Sequence, residues 1–273
     1  MAKQKPKLNN LLGLSLLEKT VELALYAPYI RGEKPFNVLI ASDPESGKTA
    51  VLEEYKVNKG VAYLTNVTAY GLERDVLPKI ANGEIRTIII PDLLVPLSRD
   101  TRTRKSFVGL LNALIEEGVT QISTFYVSWR GEARINLITA VTREELLDAR
   151  HDWAKMGFLS RFVIFSYKYP MSLVVEIFKR YSQAGIVKNE KKLTFPKEEV
   201  DIELDPEVAD RLDPIAIAVG QKMGLYGFRA KINFRSMLKA IALRNGHKKV
   251  TESDFLEFLQ LTNYLNLDFN PIG

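Results

Sequence analysis

The run Ser42-Asp43-Pro44-Glu45-Ser46-Gly47-Lys48-Thr49 stands between an apolar segment, Phe36-Asn37-Val38-Leu39-Ile40-Ala41, and a helix-like segment from Ala50 to Tyr55. No other stretch restricts the fold as strongly. Strand, tight loop, Gly-Lys-Thr and helix is the layout of a phosphate-binding P-loop, G-x-x-x-x-G-K-[ST]. In such a loop the backbone N–H groups and the positive end of the following helix cradle phosphate oxygens. Lys48 would reach the β- and γ-phosphates of ATP, and Thr49 Oγ would ligate Mg²⁺. The first glycine of the pattern is replaced by Ser42, which accepts unusual backbone dihedrals less freely. The plain alternative is an ordinary strand–turn–helix connection.

The pattern downstream alternates strand and helix. Val61 to Tyr63 is a short apolar run, and 71–82 reads as a helix with Leu72, Val76 and Ile80 on one face. Three consecutive isoleucines, Ile88-Ile89-Ile90, suit a strand buried on both faces of a parallel sheet. A helix is expected over 104–117, ended by Gly118. Residues 119–134 read as a β-hairpin with its tip around Ser128-Trp129-Arg130-Gly131-Glu132. Ile135 to Val141 is a strand, Arg143 to Ala154 a helix and Arg161 to Tyr167 a strand. This predicts an α/β fold, a parallel sheet flanked by helices. The Lys188-Asn189-Glu190-Lys191-Lys192 charge run and prolines 196 and 206 mark a change of texture, and beyond Asp205 the chain reads as helical. The expected organisation is an N-terminal arm and amphipathic helix over 1–34, a P-loop core over 35–170, a connecting segment over 171–204 and a smaller α-helical domain over 205–273.

Composition narrows the chemistry. With 273 residues, 46% of them hydrophobic and 26% charged, the chain can bury a sizeable core. It has no cysteine, which excludes disulfides and thiolate metal sites, and its two histidines cannot build a His-rich one. The net charge of +5 permits contact with nucleic acid without demanding it. The apolar stretch from Leu11 to Tyr29 is interrupted by Glu18, Lys19 and Glu22, too charged for a membrane span, and no signal peptide is visible. The expectation is a cytoplasmic protein, or one in an intracellular viral setting, with no membrane partner.

Three further blocks carry candidate chemistry. Ile88-Ile89-Ile90-Pro91-Asp92 has the form of a Walker B strand, whose Asp holds Mg²⁺ through water; a core strand that ends in Asp is the alternative. Leu93 follows, where a water-polarising Glu is common. Either Asp92 itself takes the catalytic position, with Pro91 in the place of the metal-binding Asp, or hydrolysis is weak or absent. In Gly157-Phe158-Leu159-Ser160-Arg161-Phe162, an Arg at the start of a strand can protrude towards a neighbouring subunit's γ-phosphate, or be a plain surface residue. Arg235 lies in the first turn of a helix read from Ile232 to Leu243, a placement that opposes the helix dipole and hints at an anionic partner.

Taken in order, these blocks resemble the AAA+ ATPases, and among them the motor module of the minichromosome maintenance (MCM) helicases. The similar segments are the apolar helix before the P-loop, Ser42 to Thr49, Gly60 to Thr65 with Thr68 to Leu72, Leu159-Ser160-Arg161-Phe162, and Phe234-Arg235 to Leu243. Together they span roughly residues 10–265. The resemblance implies a helical lid over 205–273, Lys48 and Thr49 as Walker A, Asp92 as Walker B and Thr142 as sensor 1. Arg161 would be an arginine finger and Arg235 sensor 2. The hairpin would face a central channel, with Arg130 as a DNA contact. It further implies ATP and Mg²⁺, a homo-oligomer (a ring such as a hexamer, or a filament), and action on DNA as a helicase, loader or remodeller of a virus or mobile element. Ser42, Leu93 and Val163 depart from the family pattern, and the helicases' N-terminal DNA-binding region is missing, so a protein partner supplying such parts is implied. A nucleotide-dependent assembly switch with little turnover is the alternative.

Overall fold

A computed structural model describes residues 12–116, 119–123, 128–133, 135–184 and 189–273. Its centre is a parallel sheet in the order β2-β3-β6-β1-β7. The strands are β1 (Asn37–Ser42), β2 (Val61–Tyr63), β3 (Thr87–Ile90), β6 (Asn136–Thr142) and β7 (Phe162–Ser166). An antiparallel pair, β4 (Val119–Ser123) and β5 (Ser128–Ala133), stands apart from it. The fold is thus α/β, with a five-stranded all-parallel sheet flanked by helices. As the isoleucine run predicts, β3 is buried on both sides: Ile89 joins one apolar cluster, and Ile88 and Ile90 the other.

The first cluster joins one sheet face to α1 (Ser15–Tyr26), α2 (Lys48–Glu54), α10 (Leu212–Lys222), α11 (Phe228–Arg244) and α12 (Glu252–Thr262). Leu17, Val21, Leu23, Ala24 and Leu25 of α1 are all buried, because the helix lies between the sheet and α11 rather than on the surface. Core packing therefore runs without a break from the sheet through α1 into the C-terminal helices. The second cluster joins the opposite face to α3 (Ala69–Gly71), α4 (Leu77–Ala81), α5 (Leu94–Leu97), α6 (Thr101–Glu116) and α7 (Arg143–Lys155). Between α3 and α4 the chain is wound as a wider π-helical turn over Leu72–Val76.

A buried amide network sets the strand register. Asn136 Oδ1 accepts from the Thr87 hydroxyl at 2.7 Å, and its Nδ2 donates to the Ala24 carbonyl at 2.6 Å and the Phe36 carbonyl at 3.3 Å. Asn37 Oδ1 accepts from the Leu137 N–H, and Asn37 Nδ2 donates to the Arg161 carbonyl. A one-residue slip would leave these buried groups without partners.

Three expectations change. Trp129, Arg130 and Gly131 lie inside β5, and the residues that join the two strands, 124–127, are outside the described residues. Glycine 131 is compatible with an extended strand, so it did not mark the turn. The segment 171–204 contains a helix, α8 (Met171–Ala184), followed by a short helix α9 (Pro206–Asp210). Finally, α11 begins at Phe228, so Arg235 sits two turns inside the helix, where the dipole argument does not apply.

Candidate functional site

The loop between β1 and α2 closes on its own lysine. Lys48 Nζ donates to the Ser42 carbonyl at 2.9 Å, the Asp43 carbonyl at 2.7 Å and the Ser46 hydroxyl at 3.1 Å. The residue is 9% exposed. Burial pushes its ammonium below the usual lysine range, opposed by the nearby charges of Asp43, Glu145 and Asp92. Gly47 takes φ 85°, a left-handed conformation that glycine adopts without a Cβ penalty. Among the described residues the positive-φ non-glycines are Glu45, at φ 60°, and Phe269. Ser42 is the last residue of β1, paired in register with Thr142. The departure at Ser42 therefore costs no strain, and the unusual dihedral falls on Glu45. Asp43, Pro44, Glu45 and Thr49 are exposed at the mouth of the loop.

The carboxyl ends of the neighbouring strands supply the surroundings, the region where open parallel sheets bind ligands. Thr142 ends β6 and caps α7. Its Oγ1 accepts from the Glu145 N–H at 3.3 Å, and the Glu145 carboxylate accepts from the Thr142 N–H at 2.8 Å. This capping box, Thr142-x-x-Glu145, is readable as a spacing, and sequence reasoning passed over it. Asp92 is exposed and accepts from the Leu94 N–H at 2.9 Å. Leu93 turns the other way: its side chain is fully buried, and its N–H donates to the Ala140 carbonyl. Lys48, Thr49, Asp92, Thr142 and Glu145 thus gather at one end of the sheet.

Arg161 and Arg235 lie at the other end. Arg161 closes a 3-10 turn (Leu159–Arg161) before β7, where Phe162 is level with Asn37, the first residue of β1. Its guanidinium does not stand out from the surface. The side chain is 15% exposed, pairs with Glu116 at 3.3 Å and bonds the Gly157 carbonyl. Glu116 also holds Lys34 at 2.8 Å and Arg229 at 3.6 Å. Burial pushes the Glu116 carboxyl up, but these three cations, Lys34 foremost, outweigh it and leave it below the usual carboxylate range. Arg229 donates to the Ser160 hydroxyl at 2.6 Å. Beside this group, Glu33 holds Arg235 at 2.9 Å and Lys239 at 2.6 Å. Five cations therefore surround two carboxylates.

Arg130 is exposed on β5 opposite Gln121, in the two-stranded pair that is separate from the parallel sheet. The described residues hold no cluster of three or more metal-ligating side chains and no helix long and apolar enough to cross a membrane. The chain matches no protein-family model and no curated protein.

Proposed function

We propose that this chain is an ATP-hydrolysing subunit of a homo-oligomer, an AAA+ motor of the MCM-like kind acting on DNA, whose nucleotide site is completed by a second copy. One observation carries the reading: the Lys48 group and the Arg161–Arg235 group stand at opposite ends of β1. Six residues of strand separate them by roughly 17 Å, too far to meet on one phosphate chain. In a head-to-tail assembly the cationic end of one copy faces the loop of the next.

In this reading Lys48 leaves its loop carbonyls for the β- and γ-phosphates, and the backbone N–H groups of residues 45–49 take up phosphate oxygens. A magnesium ion commonly rests on one or two protein oxygens, phosphates and waters, a set that Thr49 and Asp92, both exposed at the site, can serve. When bound it would neutralise charge on the phosphates. Asp92 faces solvent where Leu93 does not, so Asp92 is the carboxylate in place to accept a proton from the attacking water. The Thr142 hydroxyl, already oriented by Glu145, supports the γ-phosphate side. Arg161 and Arg235 from the neighbour stabilise charge on the transferring group.

The test is subunit mixing. Lys48→Ala and Arg161→Ala are each expected to lose turnover, and an equimolar mixture to regain part of it, since mixed interfaces contain one intact site. A mixture as inactive as its components would sink the shared site. A second reading, a nucleotide-dependent assembly switch, is favoured by the burial of Leu93 where a catalytic Glu is common. ATP binding with turnover no higher than that of Lys48→Ala would select it.

A further inference from the structure

Tyr167 is the first residue beyond β7, and its N–H bonds the Ala41 carbonyl, so it lies beside the last residues of β1. Its ring is fully buried between Phe165 and Tyr169, each with its centroid 6.0 Å away. The hydroxyl donates to the Ser46 carbonyl at 2.7 Å, a strong geometry for an O–H···O bond. Ser46 is itself buried and receives Lys48 on its own hydroxyl. A phenylalanine would fill the same apolar space; the tyrosine oxygen adds this bond to the loop, with a longer approach of 3.5 Å to the Ser46 hydroxyl.

We infer that Tyr167 is a positioning residue for the phosphate loop, its hydroxyl clamping the Ser46–Gly47 peptide so that the Gly47 N–H faces the anion. The inference rests on the phosphate-site reading above. A trans peptide is planar, and its C=O and N–H point in opposite directions. Holding the Ser46 oxygen towards the core therefore turns the Gly47 N–H away from it, to the side on which a phosphate would sit. This peptide needs such a hold. Gly47 tolerates both signs of φ, so the unit can flip by rotating ψ of Ser46 and φ of Gly47 together. The flipped loop would present a carbonyl oxygen to the anion, replacing attraction by repulsion. With Glu45 and Gly47 both at positive φ, this stretch has the alternating backbone of an anion-binding nest, and its value depends on which way each N–H faces.

The experiment is Tyr167→Phe, with affinities for tripolyphosphate, ATP and adenosine measured by titration calorimetry and folding checked by thermal melting. The expected result is about 3- to 10-fold weaker binding of both tripolyphosphate and ATP, the range of one hydrogen bond, with adenosine affinity unchanged. A role confined to stability would lower the melting temperature and leave the affinities of the folded protein alone. On the wild-type protein, the Gly47 amide proton is expected to move downfield on adding tripolyphosphate; no movement overturns the clamp even if the variant does not fold. Wild-type-like phosphate affinity in a folded Tyr167→Phe protein also overturns it, leaving the phosphate site standing. Failure of the wild type to bind either phosphate compound would overturn both.

Discussion

Arg235 grips Glu33 at two points, with Nε at 3.0 Å and Nη2 at 2.9 Å from the same carboxylate oxygen, while Lys239 takes the other oxygen at 2.6 Å. The Glu33 side chain is only 4% exposed, whereas that of Arg235 is 47% exposed. The carboxylate is therefore the buried anchor, and Arg235 is a cation held at the surface by it. Glu33→Gln leaves the more buried Lys239 without its counter-charge. Breaking a largely buried pair from one side is costly. A loss of about 2 kcal/mol, or roughly 4–8 °C for a chain of this size, is expected in thermal melts. An unchanged melting temperature would show that the pair is only a surface contact.

Asp254 caps α12 from a fully buried position. Burial pushes its carboxyl up, but hydrogen bonds from the Asn245 amide, the Thr251 N–H, the His247 imidazole and the Thr251 hydroxyl more than offset this and hold it below the usual range. A carboxyl depressed in the folded state stabilises fully above its unfolded value, about pH 4. That stabilisation is lost as pH falls through the lower folded value. Asp254→Asn is expected to lower the melting temperature at pH 7 through loss of the cap, by about 1–2 kcal/mol, and to flatten the acid limb of the stability curve below pH 4. An acid limb of unaltered slope would count against this account.

Asn136→Leu removes an amide whose partners are all buried. The Thr87 hydroxyl and the Ala24 and Phe36 carbonyls would keep their desolvation cost without their bond. Each such group costs on the order of 1 kcal/mol or more, so chemical denaturation should show a loss of about 3 kcal/mol. A variant as stable as the parent would mean that water or a rearranged neighbour satisfies these groups.

Glu45 occupies a left-handed conformation that costs a residue with a Cβ about 1–2 kcal/mol. Glycine there loses some of that gain to chain entropy. Glu45→Gly is therefore expected to stabilise by about 0.5–1 kcal/mol, whereas Glu45→Val, with its branched Cβ, should destabilise. Melting curves that rank the valine variant above the glycine variant would contradict the assigned backbone.

Much of the sheet and half of the candidate site are legible in the sequence, because they depend on contiguous residues. The β1 run, the loop to Thr49 and the Ile88–Ile90 strand each carry their pattern within a few positions. Thr142 is found because it ends a clear apolar strand. What the pattern cannot convey is which distant side chains meet. Tyr167 bonds a residue 121 positions away, and Glu116 gathers cations from residues 34, 161 and 229. Helix α8 is legible too: Met171, Val174, Val175 and Phe178 recur at helical spacing, and the charge run and prolines that follow draw the segment to be read as a connection instead. The start of α11 was misplaced because Gly224 and Gly227, close together, read as loop, which moved Arg235 to a helix end it does not occupy.

The Asn136 amide also says something about the order in which this chain can assemble. Its bond to Ala24 joins residues 112 positions apart, so α1 waits for β6 to be made before this carbonyl finds its side-chain partner. Until then α1 leaves uncovered the apolar residues Leu17, Val21, Leu23, Ala24 and Leu25 that the finished fold buries. Such long-range closure slows folding, and the interval before β6 is made is when this chain is most exposed to aggregation.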